Sequence, residues 1–164
     1  MKSPYIRRLG TISGLTIYAV SGNCIRNTLD IDFTQGGNEA IYPSYVPARE
    51  IWIDSVLGPR DRAATILHEM VERHLMLRHG MDYDHAHDIA SARERVFRGQ
   101  RTSNLSDVER AYRAFLRSPT GPVAVIPRPD AGAARPRTAR QIQREIDQIV
   151  ARRKHRGSRV RRVG

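Results

Sequence analysis

The 164-residue sequence predicts an α+β fold, in which a small, mainly antiparallel N-terminal sheet packs on a helical hairpin and a third helix. Short segments before residue 56 alternate apolar and polar residues or are rich in β-branched and aromatic ones, as strands are. Residues 61–99 instead repeat apolar residues every three or four positions, as helices do. A stretch rich in proline, glycine and alanine then precedes an arginine-rich end. We therefore predict an α+β domain at 1–118, a linker at 119–137 and a basic helical tail at 138–164.

Three segments read as strands, and turn residues separate them. The predicted strands are GLTIYAVSG at 14–22, CIRNTLDIDF at 24–33 and EIWIDS at 50–55. Residues 34–47, TQGGNEAIYPSYVP, carry the glycines and prolines of a loop. Trp52 is expected to be a sheet residue that packs on the helices.

Three helices follow the predicted sheet. Residues 61–79 form the first, which ends at Gly80, where a C-cap glycine belongs. Asp82 can cap the second helix, which Gly99 closes, and a third helix covers about 106–117. The first helix has an apolar stripe, which consists of Ala64, Leu67, Val71 and Leu75.

Cysteine content and hydropathy exclude several protein classes. Cys24 is the only cysteine, so neither an internal disulfide nor a zinc ribbon can form. Charges, a proline and glycines interrupt the first 20 residues where a signal peptide needs an apolar run. No apolar stretch approaches the length that crosses a bilayer. We therefore expect a protein that is not secreted and has no membrane partner.

Five of the six histidines lie between residues 66 and 94. His68 and Glu72 are four residues apart and so share one helix face, beside the apolar stripe. Ionisable groups in such a place are costly unless they are paired or bind a metal. A hairpin of the first two helices would bring His87 and Glu94 opposite them. The candidate metal ligands are therefore His68, Glu72, His87 and Glu94. Imidazole and carboxylate ligands favour zinc, with iron or manganese as alternatives.

The sequence HEMVE at 68–72 resembles the active-site helix of zincin metallopeptidases, whose motif is HExxH, with a glutamate in place of the second histidine. The resemblance implies that Glu69 is the catalytic base and that His87 restores the usual two histidines and one carboxylate. Residues 50–95, with IWID, HExxE, GxxYxxAH and a late glutamate, also resemble small proteins encoded by bacteriophages and prophages. This second resemblance implies a zincin-like strand and helix hairpin, in the host cytoplasm or in a virion.

Plainer interpretations of the same residues remain open. His68 and Glu72 could form a metal-free hydrogen bond in the core, and Glu69 could be an exposed helix residue. Tyr83 is expected to be a core aromatic rather than an oxyanion donor. His74 and His79 are expected to be solvated at the surface. His85 is expected to lie on another side of its helix from His87, and it is kept as a reserve metal ligand only.

Most of the formal net charge of +11 belongs to the C-terminal end. Residues 1–127 contain 16 basic and 14 acidic side chains, whereas residues 128–164 contain 12 and 3. This pattern is typical of an arm that binds nucleic acid through phosphates without sequence preference. The alternative is a solvated helix whose isoleucines dock on another protein, such as a neighbouring subunit, or on a second copy of this chain, with the arginines outside. The candidate nucleic-acid-binding residues are Arg152, Arg153, Lys154, Arg156, Arg159, Arg161 and Arg162.

Three functions are compatible with these patterns. The first is a zinc-dependent peptidase that acts on a peptide or protein substrate. The second is a nonenzymatic phage protein of the virion or the genome, with a structural or relict metal site and a tail that binds DNA or a neighbouring subunit. The third is a metal-free regulatory or adaptor domain.

Overall fold

The computed structural model describes residues 3–100 and 103–119, and it contains four strands and four helices. The strands are β1 (Tyr5–Ile12), β2 (Leu15–Val20), β3 (Gly36–Asn38) and β4 (Glu50–Asp54). The helices are α1 (Gly22–Thr28), α2 (Pro59–His79), α3 (Tyr83–Gly99) and α4 (Leu105–Leu116). The strands belong to one sheet at the N-terminal end, so the predicted α+β class is confirmed.

The four strands lie in the order β1-β2-β4-β3. β1 and β2 form an antiparallel hairpin, and β3 is antiparallel to β4. The central pair, β2 with β4, is parallel and runs from Thr16 opposite Glu50 to Val20 opposite Asp54. Two of the three pairings are antiparallel, as predicted. Among the strands of residues 3–100 and 103–119, β3 pairs only with β4, so within this part of the chain its outer side is a free edge of the sheet.

The sheet separates two apolar clusters. Ile17, Ile51 and Ile53 pack against the helical hairpin and α4 in the larger cluster. Trp52 points to the opposite face of the sheet, where it belongs to the same apolar cluster as Ile25 of α1. This cluster also contains three aromatic residues from the loops, which are Phe33, Tyr42 and Tyr45. Trp52 is thus a sheet residue as predicted, but the helices it was expected to contact lie on the other side. The alternation of side chains along β4 explains this, because successive residues face opposite sides of a sheet.

The strand predicted at 24–33 is wrong. This segment begins in α1, whose N-cap Ser21 accepts a hydrogen bond from the Cys24 amide. Ile25 is fully buried, whereas Ile31 is 79% exposed, so the alternating apolar residues do not face one core. Two strands were missed: β1, which has eight residues, and the three-residue β3 in the predicted loop. Most of β1 is exposed and β3 is Gly-Gly-Asn, so neither has the apolar pattern of a buried strand.

The helical hairpin agrees closely with the sequence prediction. Gly80 ends α2 in the left-handed conformation, with φ of 62°. Asp82 caps α3 by accepting a hydrogen bond from the His85 amide, and α3 extends to Gly99. The apolar stripe of α2 is buried throughout. A short, well-capped turn therefore fixes α2 and α3 side by side.

The predicted linker, apart from Pro119, and the whole basic tail lie outside the described residues. The candidate nucleic-acid-binding side chains at 152–162 belong to that tail, so their placement stays a prediction. Within 3–100 and 103–119, no helix is both long enough and apolar enough to cross a bilayer.

Candidate metal centre

The helical hairpin brings two histidines and a glutamate together. His68 and Glu72 lie one turn apart on α2, and both are buried, with exposures of 7% and 2%. His87 faces them from α3, and its side chain is 43% exposed. The cluster is therefore buried on the side of His68 and Glu72 and open to solvent at His87. The predicted juxtaposition of these three residues is found in the structure.

The three side chains converge on one point. His68 Nε2 lies 3.2 Å from His87 Nδ1, and His87 Nδ1 lies 3.0 Å from Glu72 Oε1. The third side of the triangle, from His68 Nε2 to Glu72 Oε1, measures 3.6 Å. Ligand atoms at about 2.0–2.1 Å from a tetrahedral ion are separated by roughly 3.3 Å. The three separations are close to this value, and the group could hold a metal ion.

Glu94 lies beside this group but contacts the other face of His68. Its Oε2 lies 2.9 Å from His68 Nδ1. Its Oε1 accepts hydrogen bonds from Arg98 Nε at 3.0 Å and Nη2 at 2.7 Å. Arg98 in turn forms an ion pair with Asp61 in the first turn of α2. The sequence placed Glu94 among the ligands, whereas the convergent group consists of the other three residues.

Glu69 is buried, so the interpretation as an exposed helix residue does not hold. Its Oε2 accepts a hydrogen bond of 2.9 Å from Asn38 Nδ2, and the same nitrogen lies 3.4 Å from Glu72 Oε2. Asn38 is fully buried at the end of β3, and its Oδ1 accepts from the Ala40 amide. One amide group from the edge strand therefore contacts the carboxylates of both Glu69 and Glu72.

Gly36, also on β3, leaves room for the second oxygen of Glu69. A Cβ atom at this position would lie 2.8 Å from Glu69 Oε1 and 2.9 Å from Thr65 Cγ2. Both contacts are closer than ordinary van der Waals distance, so a side chain here would displace Glu69. The edge strand thus sets the position of Glu69 at two points, through Asn38 and through the missing side chain of Gly36.

Carboxylates dominate the electrostatics around His68. Burial by itself lowers the pKa of His68, but hydrogen bonds to Glu72 and Glu94, together with the charge of Glu69, raise it to about 10. Burial and the charge of Glu72 raise the pKa of Glu69 to about 7. Burial also acts to raise the pKa of Glu94, yet His68 and Arg98 hold it below its usual value. The cluster therefore favours a positive charge at its centre, which a proton or a metal ion can supply.

A cavity of about 300 Å³ opens over the cluster. The three convergent residues, Glu69 and Glu94 all line it, together with Gly36 of the edge strand. Two tyrosines also contribute. Tyr42 comes from the loop between β3 and β4, and Tyr83 begins α3. The candidate site is consequently accessible to a molecule larger than water.

Tyr83 is not the core aromatic that the sequence suggested. It is 46% exposed, and its ring lies 5.3 Å from the ring of His87. The other histidines of α2 and α3 lie outside the cluster. His79 is exposed as expected, and exposed His85 bonds to Asp82 instead of serving as a reserve ligand. His74 was expected at the surface but is half-buried, with its ring 5.4 Å from that of Phe115.

Comparisons with protein-family models, with curated proteins and with solved structures found no match to this chain. The likeness of residues 50–95 to phage proteins and to zincins therefore stays a resemblance.

Proposed function

We propose that this chain is a zinc-dependent peptidase, with His68, Glu72 and His87 as the metal ligands and Glu69 as the catalytic base. The observation that carries the proposal is the triangle of His68 Nε2, His87 Nδ1 and Glu72 Oε1, with sides of 3.0 to 3.6 Å. Two imidazoles and one carboxylate form a common ligand set of catalytic zinc, in which a fourth position is left for water. A metal held by these three residues would lie beside the cavity, which all three line.

The proposed reaction is hydrolysis of a peptide bond by water. Zinc, when bound, supplies Lewis acidity and makes water a stronger acid and nucleophile. Glu69 would take a proton from the attacking water and deliver it to the leaving amine, so that the products are a carboxylic acid and an amine. Its Oε2 is occupied by Asn38, which leaves Oε1 for this transfer. A buried carboxylate with a raised pKa suits a group that both accepts and donates a proton.

The free edge of β3 supports a peptide substrate. Gly36 of this strand lines the cavity, and the next described strand, β4, covers only its other side. An extended peptide could pair with the free edge by strand addition. Its backbone would then pass over Glu69 and the metal ligands. Two of the three residues of β3 are glycines, so recognition through backbone pairing predicts weak sequence selectivity.

The proposal predicts cleavage that depends on zinc. The full chain is stripped of metal with a chelator, dialysed, reloaded with zinc and assayed on an unfolded, fluorescently labelled protein. We expect cleavage by the reloaded protein and none by the stripped protein, because the ligands cannot polarise water alone. His87→Ala should remain inactive after reloading, whereas His85→Ala, whose exposed side chain lies outside the cluster, should be active.

Two results would contradict the peptidase assignment. One is equal cleavage by the stripped and reloaded chains, which would point to a contaminating or metal-free activity. The other is a reloaded chain that contains zinc and cleaves no peptide substrate.

A further inference from the structure

We infer that Glu94 is a positioning residue, which turns His68 Nε2 towards the metal, and that it is not itself a ligand. This inference rests on the metal site of the proposed function. An imidazole has two nitrogens, and each can bind a metal or donate a hydrogen bond. In this site His68 Nδ1 lies 2.9 Å from Glu94 Oε2, and Nε2 faces Glu72 and His87. The two nitrogens of His68 thus have distinct partners.

The orientation of Glu94 is itself fixed. Its second oxygen, Oε1, receives hydrogen bonds from two nitrogens of Arg98, which lies one turn later on α3. The third nitrogen of Arg98 pairs with Asp61, at the beginning of α2. A chain of contacts therefore runs from the start of α2 through Arg98 and Glu94 to His68. Because it links the two helices, the hairpin geometry determines where Glu94 points.

A carboxylate at Nδ1 has two effects on a metal-binding histidine. It accepts the Nδ1 proton, so that the lone pair remains on Nε2, the nitrogen that faces the triangle. Its negative charge also makes the imidazole a stronger donor to a cation. Glu94 therefore acts on the metal through His68, and its contribution should appear in metal affinity.

A ligand role for Glu94 would disrupt these contacts. To coordinate the ion, one of its oxygens would have to leave either His68 or Arg98. The side chain of Glu94 is only 20% exposed. His68 or Arg98 would therefore lose a charge-assisted hydrogen bond that water could replace only in part. The three-residue triangle already has the dimensions of a metal site without it.

Cobalt titration of the full chain distinguishes the two roles. Co²⁺ takes the ligands of zinc sites, and its visible spectrum reports coordination number and ligand type. Glu94→Gln keeps the shape of the side chain and an oxygen that can accept from His68, but it removes the charge. We expect one cobalt per chain, an unchanged spectrum and affinity that is about 10–100-fold weaker. Arg98→Gln, which loosens Glu94 without touching His68, should change affinity in the same direction.

Two further variants serve as references. Glu72→Gln alters a proposed ligand and should change the cobalt spectrum itself. Asp54→Asn removes the charge of another buried carboxylate, which pairs with Arg26 and lies outside the metal cluster. Its cobalt affinity should equal that of the wild type. If Glu94→Gln lost cobalt affinity only because its fold was weakened, Asp54→Asn should lose affinity too.

The possible results distinguish the positioning role of Glu94 from the proposed metal site and from the proposed peptidase function. If Glu94→Gln binds cobalt as tightly as the wild type does, the positioning role is wrong and the metal site stands. If its spectrum changes as that of Glu72→Gln does, Glu94 is a ligand and the inference is overturned. If the wild type binds no cobalt, both the metal site and the inference fail. Tight cobalt binding without peptide cleavage would overturn only the peptidase assignment.

Discussion

Replacing Glu69 by glutamine is expected to lower kcat by about 10²–10⁴-fold while zinc stays bound. The amide has the size of the carboxylate, and its oxygen can still accept the hydrogen bond from Asn38 Nδ2. It cannot accept the proton of the attacking water. The ligand triangle contains no atom of Glu69, so metal affinity should remain close to that of the wild type. The comparison requires kcat and zinc content on the same preparations.

Glu109→Gln is a matched control, because Glu109 lies on α4 and, among the described residues, forms its ion pair with Arg113 at the surface. It should have the wild-type kcat. A Glu69→Gln variant that cleaves at the wild-type rate, with zinc bound, would remove Glu69 from the proposed mechanism. Loss of zinc together with activity would show that Glu69 contributes to metal binding.

Replacing Asn38 by leucine should lower the free energy of unfolding by about 3 kcal/mol or more. Leucine has a similar volume but no donor, so the buried carboxylates of Glu69 and Glu72 would lose their shared hydrogen bond. The Ala40 amide would lose its acceptor as well. Denaturant unfolding of the metal-free chain measures the effect without the contribution of bound zinc.

Asn27→Leu provides the reference for this measurement. Asn27 is exposed on α1, and in the described part of the chain its side-chain amide donates a hydrogen bond to Asn23 Oδ1. Its replacement should change the free energy of unfolding by less than about 0.5 kcal/mol. Equal stabilities of the two variants would mean that Asn38 does not support the carboxylates of α2.

The helical hairpin could be predicted because its signals are local. The apolar stripe of α2 repeats within one helix, and Gly80 and Asp82 mark the turn by their own conformational preferences. His68 and Glu72 could be identified as candidate ligands because they lie beside that stripe. Once the hairpin was inferred, placing His87 opposite them required only the helical period.

The strands and α1 were harder to predict because their conformations depend on distant partners. Ile25 and Ile31 alternate with polar residues as in a strand, yet only Ile25 has a core to enter. The Ser21 cap outweighs the weak strand pattern and starts a helix. Two of the three residues of β3 are glycines, which have no side chains that could form an apolar pattern. Its pairing with β4 and its contacts with α2 arise only in the folded chain.

The contacts that Asn38 and Arg98 make with the site were missed for a similar reason. Asn38 is separated from Glu69 by 31 positions, and no spacing rule connects a loop-like segment with a helix over that distance. Glu94 was identified as part of the site from its stripe on α3. The sequence could not show which nitrogen of His68 it would meet. That distinction depends on Arg98, whose contact with Asp61 joins the ends of the two helices.

Zinc content is the most direct test of the central claim that His68, Glu72 and His87 form a metal site. The full chain is purified without a histidine tag or a chelator and analysed for metals beside His68→Ala, His87→Ala and His79→Ala. We expect about one zinc per chain in the wild type and in His79→Ala, whose imidazole is exposed and outside the cluster, and none in the other two variants. A wild-type chain that contains no zinc and takes up none when zinc is added would contradict the metal site and the function proposed from it.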